Sequence, residues 1–540
     1  MKKTKFTLLL GCILSAPLAF SQTGVDAYRY SRTELSGSAR SVAMGGAFGA
    51  LGGDIAALHT NPAGIGVYRT SEVVLSLNFM QNRTTTNMVT SNLSNSGWEN
   101  KRFTTSLDNI GSVFTFDAGP YGGRLNLGFS YNKPFSYNNR YNVKGQGMSN
   151  YSLSNYIAQL TNRYNGVGVS EAELGNFSGN APWLSILAWN TYLIDPLESG
   201  NGNTYRPTIS AGELTNNSMY IDERGSIAQY SFSLGGSMLE DRLYLGMAFV
   251  GGTIDYTLQS YYDESFYNSG AGSRRGFQLY NDLSTVGRGF NMKLGAIVRP
   301  IDALRLGIAY HTPTWYSMTD YFNATLTPLN IYYVDNDGND KAAEPYDTPL
   351  NEYSYYTFRS PGKWLLSAAG IISNKAIVSF DWEITDYRKM SLDYWGSSDI
   401  NSYIESDFRT VHTLRAGAEF RLLPQLSLRG GFEHRPGPMK TETKNAVYNG
   451  ELDIPTAGTI PNFTIDKGSL TYTFGLGYRF KNGFYTDIAC ALINYRADYY
   501  NFSPLPQYDW DAAITPEVTS TPASMKTLRA KTVVTVGYKF

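Results

Sequence analysis

The chain is poor in the residues that most chemistry needs. It has two cysteines and four histidines in 540 residues. One of the cysteines, Cys12, lies in a leader-like start, so only Cys490 remains for the mature chain. That excludes an internal disulfide and a cysteine metal site. The histidines are scattered without metal-ligand spacing, and no metal or cofactor is expected. Charge of one sign is also lacking: the formal net charge is −1, and −4 once the three leader lysines are removed. There is neither a basic footprint for nucleic acid nor an acidic tail. No run of about 18 apolar residues follows the leader, so a helical membrane span is excluded. No Gly-x-Ser-x-Gly elbow, glycine-rich phosphate loop or nucleophile–base pair is present, and no enzyme activity is expected.

What is present is glycine and tyrosine, 53 and 41 residues, with a mean hydropathy of −0.28. Residues 1–21 read as a signal peptide: Lys2, Lys3 and Lys5, an apolar stretch from Leu8 to Leu14, then small residues Ala19 and Ser21 before a cut at Gln22. Leu10, two residues before Cys12, argues against lipidation. Beyond it, apolar and polar residues alternate with period two. Leu470, Tyr472, Phe474, Leu476, Tyr478 and Phe480 share one side of a strand opposite Thr471, Thr473, Gly475, Gly477 and Arg479. The chain stops on such a strand, with Val534, Val536, Tyr538 and Phe540 on one side. About 14 segments of this kind begin near Val73, Gly111, Leu125, Gln229, Leu243, Gly289, Leu304, Lys363, Ala376, Val411, Leu426, Leu470, Phe484 and Thr527.

Short joins, such as Pro300–Ile301–Asp302 and Lys481–Asn482–Gly483, alternate with long polar stretches, such as Phe135 to Ala228 and Thr312 to Gly362. Short turns on one side and long loops on the other are the mark of a transmembrane antiparallel β-barrel. The expected fold is therefore all-β, with residues 71–540 forming an outer-membrane barrel whose termini are both periplasmic. Residues 22–70 lack period two. A bore of about 14 strands would leak unless filled, so this segment is expected to fold inward as a plug, or hatch. Within the first long stretch, Tyr151–Leu160 and Ala181–Tyr192 have helical spacing. Trp183, Ile186, Leu187 and Trp189 are too apolar for a solvated loop; they either cap the barrel mouth or are candidate ligand contacts.

The hatch carries Asn61-Pro62-Ala63-Gly64. Pro62 fixes its own φ and makes Asn61 extended. The Asn61 side chain can then bond nearby backbone, and the small residues permit close packing. Lumen-facing charges (Arg242, Lys293, Arg305, Arg415, Glu419, Arg429, Glu433 and Arg479) are expected to tie wall to hatch through carboxylates such as Glu34 and Asp54, the alternative for the arginines being a substrate carboxylate. His59 is expected to be a hydrogen-bonded hatch residue, and His311, His412 and His434 to lie at the membrane interface. The run Asp335-Asn336-Asp337-Gly338-Asn339-Asp340 starts like a calcium loop but lacks the closing glutamate, and reads as a solvated turn.

The block Ser38-Ala39-Arg40-Ser41-Val42-Ala43-Met44-Gly45-Gly46-Ala47-Phe48, then Asp54, then Asn61-Pro62-Ala63-Gly64, resembles the hatch of the FadL/TodX family, in the style of Bacteroidota members. The resemblance implies a monomeric outer-membrane channel for passive uptake of hydrophobic small molecules, such as long-chain fatty acids, with outer-membrane lipid around it. It also implies a lateral opening in the wall, which a kink in the third or a neighbouring strand would supply. Fatty acid, aromatic hydrocarbon, bile lipid and haem all remain open as ligands, though no axial-ligand arrangement supports haem. The alternative is a barrel acting as a protein-binding platform in secretion or surface attachment.

Overall fold

The computed structural model describes residues 23–88, 97–117, 123–164, 168–179, 181–197, 203–210, 212–267, 275–335, 337–349, 352–373, 375–394, 397–456, 458–505, 518 and 520–540. The signal-peptide reading, Asn336, Asn374 and most of the join from Gly119 to Arg124 lie outside them.

Fourteen antiparallel strands close into a barrel. They are β1 (Glu72–Met88), β2 (Trp98–Asp117), β3 (Arg124–Ser136, continuing as Asn139–Met148), β4 (Leu214–Met238), β5 (Leu243–Tyr267), β6 (Arg275–Ile301), β7 (Leu304–His311, continuing as Trp315–Leu329), β8 (Glu352–Arg359, continuing as Lys363–Ile372), β9 (Ala376–Asp386), β10 (Thr410–Arg421), β11 (Leu426–Pro436), β12 (Phe463–Arg479), β13 (Phe484–Tyr500) and β14 (Ala523–Lys539). Each pairs with its neighbour in sequence, and β1 pairs with β14 from Glu72 opposite Lys539 to Met88 opposite Ala523. Closure leaves no sheet edge along β1 and β14. All fourteen expected segments fall on these strands in order.

Alternation decides which side faces out. Tyr472, Phe474 and Leu476 are exposed, whereas Thr471 and Thr473 are buried in the bore. Aromatic girdles bound this apolar band. At one level the Tyr131–Tyr230 and Tyr310–Trp364 ring centroids are 5.3 and 4.5 Å apart. There too Trp382 Nε1 donates to His412 Nδ1 at 3.1 Å. At the short-turn end Phe484 packs on Tyr538, 4.6 Å between centroids, and Phe540 N–H donates to Ser71 O.

Several strands run far beyond the expected segments. Much of what reads as long loop, including 139–148, 214–228, 315–329 and 352–359, is strand. The reason is an inversion of the faces. Low on β4 the apolar residues Tyr230 and Phe232 point outward; higher up, Met219 and Ile221 point inward and are buried. Ile254, Tyr256 and Leu258 on β5 invert in the same way. Above the apolar band the apolar side turns toward a cap at the end of the bore away from the short turns. That cap includes α4 (Leu153–Arg163), α5 (Glu171–Leu174) and α6 (Trp183–Asn190). Glu264 at the top of β5 accepts from Leu153 N–H at 3.0 Å and from Ser152 Oγ, fixing the start of α4.

Candidate functional site

Residues 23–68 fill the bore as α1 (Gly24–Ser31), α2 (Ala39–Ala43), α3 (Ala57–Thr60) and a 3-10 turn, Pro62–Val67. Asn61 is fully buried and works in two directions. Its Oδ1 accepts from Ala63 N–H at 3.1 Å, capping the turn that Pro62 begins. Its Nδ2 donates to Gly49 O at 2.7 Å and faces the wall carbonyls of Ala296 and Ile308 at 3.3 and 3.4 Å. The sequence implied local bonds; the structure adds a bridge from hatch to wall. Ala63 is buried, and a Cβ on Gly64 would meet the Ala57 Cβ at 2.6 Å.

The wall receives the hatch in glycine recesses. A Cβ on Gly295 would stand 1.9 Å from Asn61 Oδ1, and one on Gly246 2.3 Å from Pro62 O. Across the bore, Gly417 faces Met44 O and Gly431 faces Gly45 N, each at 2.3 Å by the same measure. Between these arcs Asp381 accepts from Phe48 N–H and Gly49 N–H at 3.0 and 2.9 Å. At Gly246, Gly417 and Gly431 backbone therefore lies directly on backbone, and at Gly295 the missing side chain leaves room for Asn61, which no other residue would allow.

Charges complete the attachment. Arg40 Nε lies 2.8 Å from Glu419, which Arg429 Nε also reaches at 2.7 Å. Arg415 bridges Glu433 at 2.7 Å and Glu383 at 3.1 Å. Arg305 donates to Leu51 O. Glu34 pairs with Arg529, whereas Asp54 is taken by Ser38 Oγ and Ala56 N–H inside the hatch rather than by an arginine. One of the lumen-facing expectations fails: Arg242 is exposed at a short turn, donating to Pro300 O. Arg479 stays on the side of β12 that carries Thr471 and Thr473, exposed at the rim.

His59 sits between hatch and wall. Its Nε2 is 3.1 Å from Ser130 Oγ and 3.3 Å from Asn109 Nδ2, and its Nδ1 is 3.4 Å from Ser231 Oγ. Burial, then Lys293, then His311 hold its pKa well below 6.5, so the ring is neutral. Lys293 Nζ donates to His59 O and Gln229 Oε1 at 3.0 and 3.1 Å. His311 is not interfacial: half-buried in the bore, its Nε2 is 2.9 Å from Thr60 O. His412 and His434 are exposed on the outward face. Lys341 Nζ occupies the Asp335 carboxylate at 2.8 Å, so that acidic run is a self-paired turn.

These groups surround a chamber of about 160 Å³ between hatch and wall, lined among others by Arg32, His59, Lys293, His311, Lys363 and Glu383. Arg32 stacks on Phe135 and Tyr495, 4.5 and 5.0 Å from the ring centroids. A second, larger hollow of about 810 Å³ lies on the outside of the wall, lined by Val73, Ile110, Phe129, Tyr230, Phe249 and Val536 among others. Just above it the ladder parts. β3 pairs with β2 only up to Asn132 opposite Asn109; after the bend at Ser136 it pairs with β4 alone. Pro134, inside β3, is the sequence signal for this break.

Trp183, Ile186 and Leu187 are buried in the cap, and Trp189 is partly buried there. Trp183 packs on Phe177 and Trp189 on Tyr205, with centroids 4.9 and 5.6 Å apart. None of the four lines the chamber or the outer hollow.

No protein-family model and no curated protein matches the chain. Among solved structures, the deltaS2 mutant of the TodX monoaromatic hydrocarbon channel matches at 14% identity and a TM-score of 0.50, over 94% of this chain and 100% of that one. A Pseudomonas aeruginosa FadL homologue matches at 13% identity and a TM-score of 0.49, over 94% and 99%. The Pseudomonas putida toluene transporter TodX matches at 13% and 0.48, over 94% and 100%. At such identities the likeness is one of fold: a closed barrel with its N-terminal segment inside.

Proposed function

We propose that this protein is an outer-membrane channel of the FadL/TodX type that lets hydrophobic small molecules, such as long-chain fatty acids, pass without energy input. It works as a monomer, with its short turns and both termini in the periplasm and its cap outside. The observation that carries the reading is the hatch, a separate piece of chain seated in the bore on hydrogen bonds, ion pairs and glycine recesses. Such a seat is made of many modest polar contacts and can be left without dismantling the ladder.

A chamber of about 160 Å³ is smaller than the roughly 300–1,000 Å³ of ordinary ligand sites. Passage therefore requires the hatch near Asn61–Gly64 to shift. A ligand that enters past the cap, within which Trp183, Ile186, Leu187 and Trp189 form an apolar cluster, moves into the chamber. It then leaves sideways where β3 parts from β2, into the outer hollow and the lipid.

Deleting residues Val25 to Tyr68 tests this. Conductance or small-solute leakage of the reconstituted barrel should rise sharply. Exposed Tyr332, Val334 and Tyr448 on the outer side favour the second reading, a platform for a protein partner. Unchanged leakage together with failed surface display of secreted proteins would decide for it.

A further inference from the structure

Above the apolar band the outward face of the wall becomes charged. On β4 the outward positions run from Met238 through Phe232 and Tyr230 to Arg224, Asp222 and Tyr220. At about 3.3 Å per residue and a tilt near 40°, Arg224 stands roughly 35 Å above Met238, about 10 Å past an apolar band of ~25 Å.

There the Asp222 carboxylate meets three guanidinium groups. Arg140 Nη2 is at 2.7 Å, Arg224 Nη2 at 3.1 Å, and Arg102 reaches it across the parted ladder from β2. Asp222 is 4% exposed, but the Arg140 and Arg224 side chains are 40% and 55% exposed. Three positive charges share one negative, and the surplus faces outward.

The acidic neighbours are on the β5 side: Asp255 opposite Ser226, two residues from the partner of Arg224, Asp263 opposite Ser218, and Asp282 on β6 opposite Gln259. Asp282 is engaged by Gln259 Nε2 and Tyr280 Oη at 2.9 and 3.0 Å. Toward β2 the face adds Lys144, whose ammonium sits 3.9 Å from the Trp98 ring centroid.

Beside the arginines runs a row of cross-strand tyrosines. Tyr220 opposes Tyr261, and Tyr261 opposes Tyr280, with ring centroids 6.2 and 4.6 Å apart. Guanidinium forks match phosphate oxygens two by two, and flat aromatic surfaces take the apolar faces of sugar rings.

We propose that this face binds the phosphate and first sugars of an anionic glycolipid in the outer leaflet around the barrel. The inference rests on the membrane placement given above. Position decides the source of the phosphate: at this height, on the outward side, the barrel's immediate neighbours are lipid headgroups.

The test uses the full chain in phosphatidylethanolamine nanodiscs, titrated with a phosphorylated rough lipopolysaccharide, the same lipid after enzymatic dephosphorylation, and inorganic phosphate. The variant is Arg140→Gln with Arg224→Gln, which keeps the Arg102–Asp222 pair. The wild-type chain should retain the phosphorylated lipid at least tenfold more strongly than the variant, and removing the phosphate should bring it to the variant's level. Millimolar inorganic phosphate should compete weakly. Tyr261→Ser should weaken lipid retention while leaving the inorganic anion unaffected.

Equal retention by wild type and variant overturns the proposal, as does indifference to dephosphorylation. Complete competition by inorganic phosphate reassigns the site to a soluble anion and also overturns it. Both proteins should still take up a hydrophobic tracer. A chain that inserts in the bilayer but ignores lipid phosphate defeats this inference alone. A chain that does not insert defeats the membrane reading and this inference with it.

Discussion

Asn61 and His59 bear most directly on how firmly the hatch is held. Asn61→Ala removes the acceptor for Ala63 N–H and the donor to Gly49 O in a buried place. A buried polar group left unpaired costs about 1–3 kcal/mol, so the displaced hatch should become more populated. Single-channel recording should show openings roughly 5- to 140-fold more frequent, converting that cost at 1.4 kcal/mol per tenfold. An unaltered trace would show that the bridge to the wall holds nothing. Gly295→Ala attacks the same point from the other side, since its Cβ needs the space that Asn61 Oδ1 fills.

His59 gives the hatch a pH dependence. In place it is neutral, held well below 6.5 by burial and by Lys293 and His311, while its hydrogen-bond partners Asn109, Ser130 and Ser231 carry no charge. A hatch that has left its seat exposes the ring to water, where it takes a proton as pH falls through about 6.5. The released state then binds more protons, so the seat is at full strength above that pH and weakens below it. Leakage should rise between about pH 7 and about pH 5. His59→Gln should flatten this rise. A pH response that persists unchanged in the variant would assign it to another group.

Among the elements, α6 and β3 contribute differently. In α6, Trp183, Ile186 and Leu187 are each no more than 3% exposed and serve the cap's own core. Trp183→Ala should cost about 3–5 kcal/mol of local stability. Limited proteolysis should then cut within 139–213 while the barrel still migrates as a folded, heat-modifiable band. Loss of the whole barrel would mean that cap and wall fold as one unit. In β3 the bend depends on its partner too. Gly225 on β4 has φ +107° and accepts Tyr137 N–H at its carbonyl; a Cβ there would stand 2.0 Å from Asp255 O. Gly225→Val should therefore rebuild the parting of β2 and β3, and slow tracer uptake more than it lowers thermal stability.

Much at the element scale was legible in the residues. Strands that cross lipid must be apolar on one side and polar on the other, so Leu470–Phe480 or Leu304–Tyr310 declare themselves. The outer continuations of β4, β5 and β6 did not, because the apolar side there packs on a cap made from distant chain, reversing the pattern. The hatch motif was readable as compact irregular structure. Its partners were not: nothing near Gly246, Gly295, Gly417 or Gly431 says that another backbone lies against them. Arg102, Arg140 and Arg224 were likewise missed as a group, since they sit on three strands and meet only where the ladder parts.

The molecule as a whole has two kinds of bonding. The wall is a continuous ladder in which every strand supports two neighbours, whereas the hatch sits on separate side-chain contacts. Heating or denaturant should release the hatch first. Amides of 39–67 should exchange at a lower opening free energy than those of β1 and β14, which close the cylinder. Simultaneous exchange would merge hatch and wall into one cooperative unit.

Alternation along each strand was enough, by itself, to determine a closed wall with a greasy outside, because which face a strand residue takes is set singly and locally by its period of two. The seating of the hatch, the bend in β3 and the cluster at Asp222 were decided only by the folded cylinder. Each depends on groups dozens to hundreds of residues apart whose contact exists only after closure.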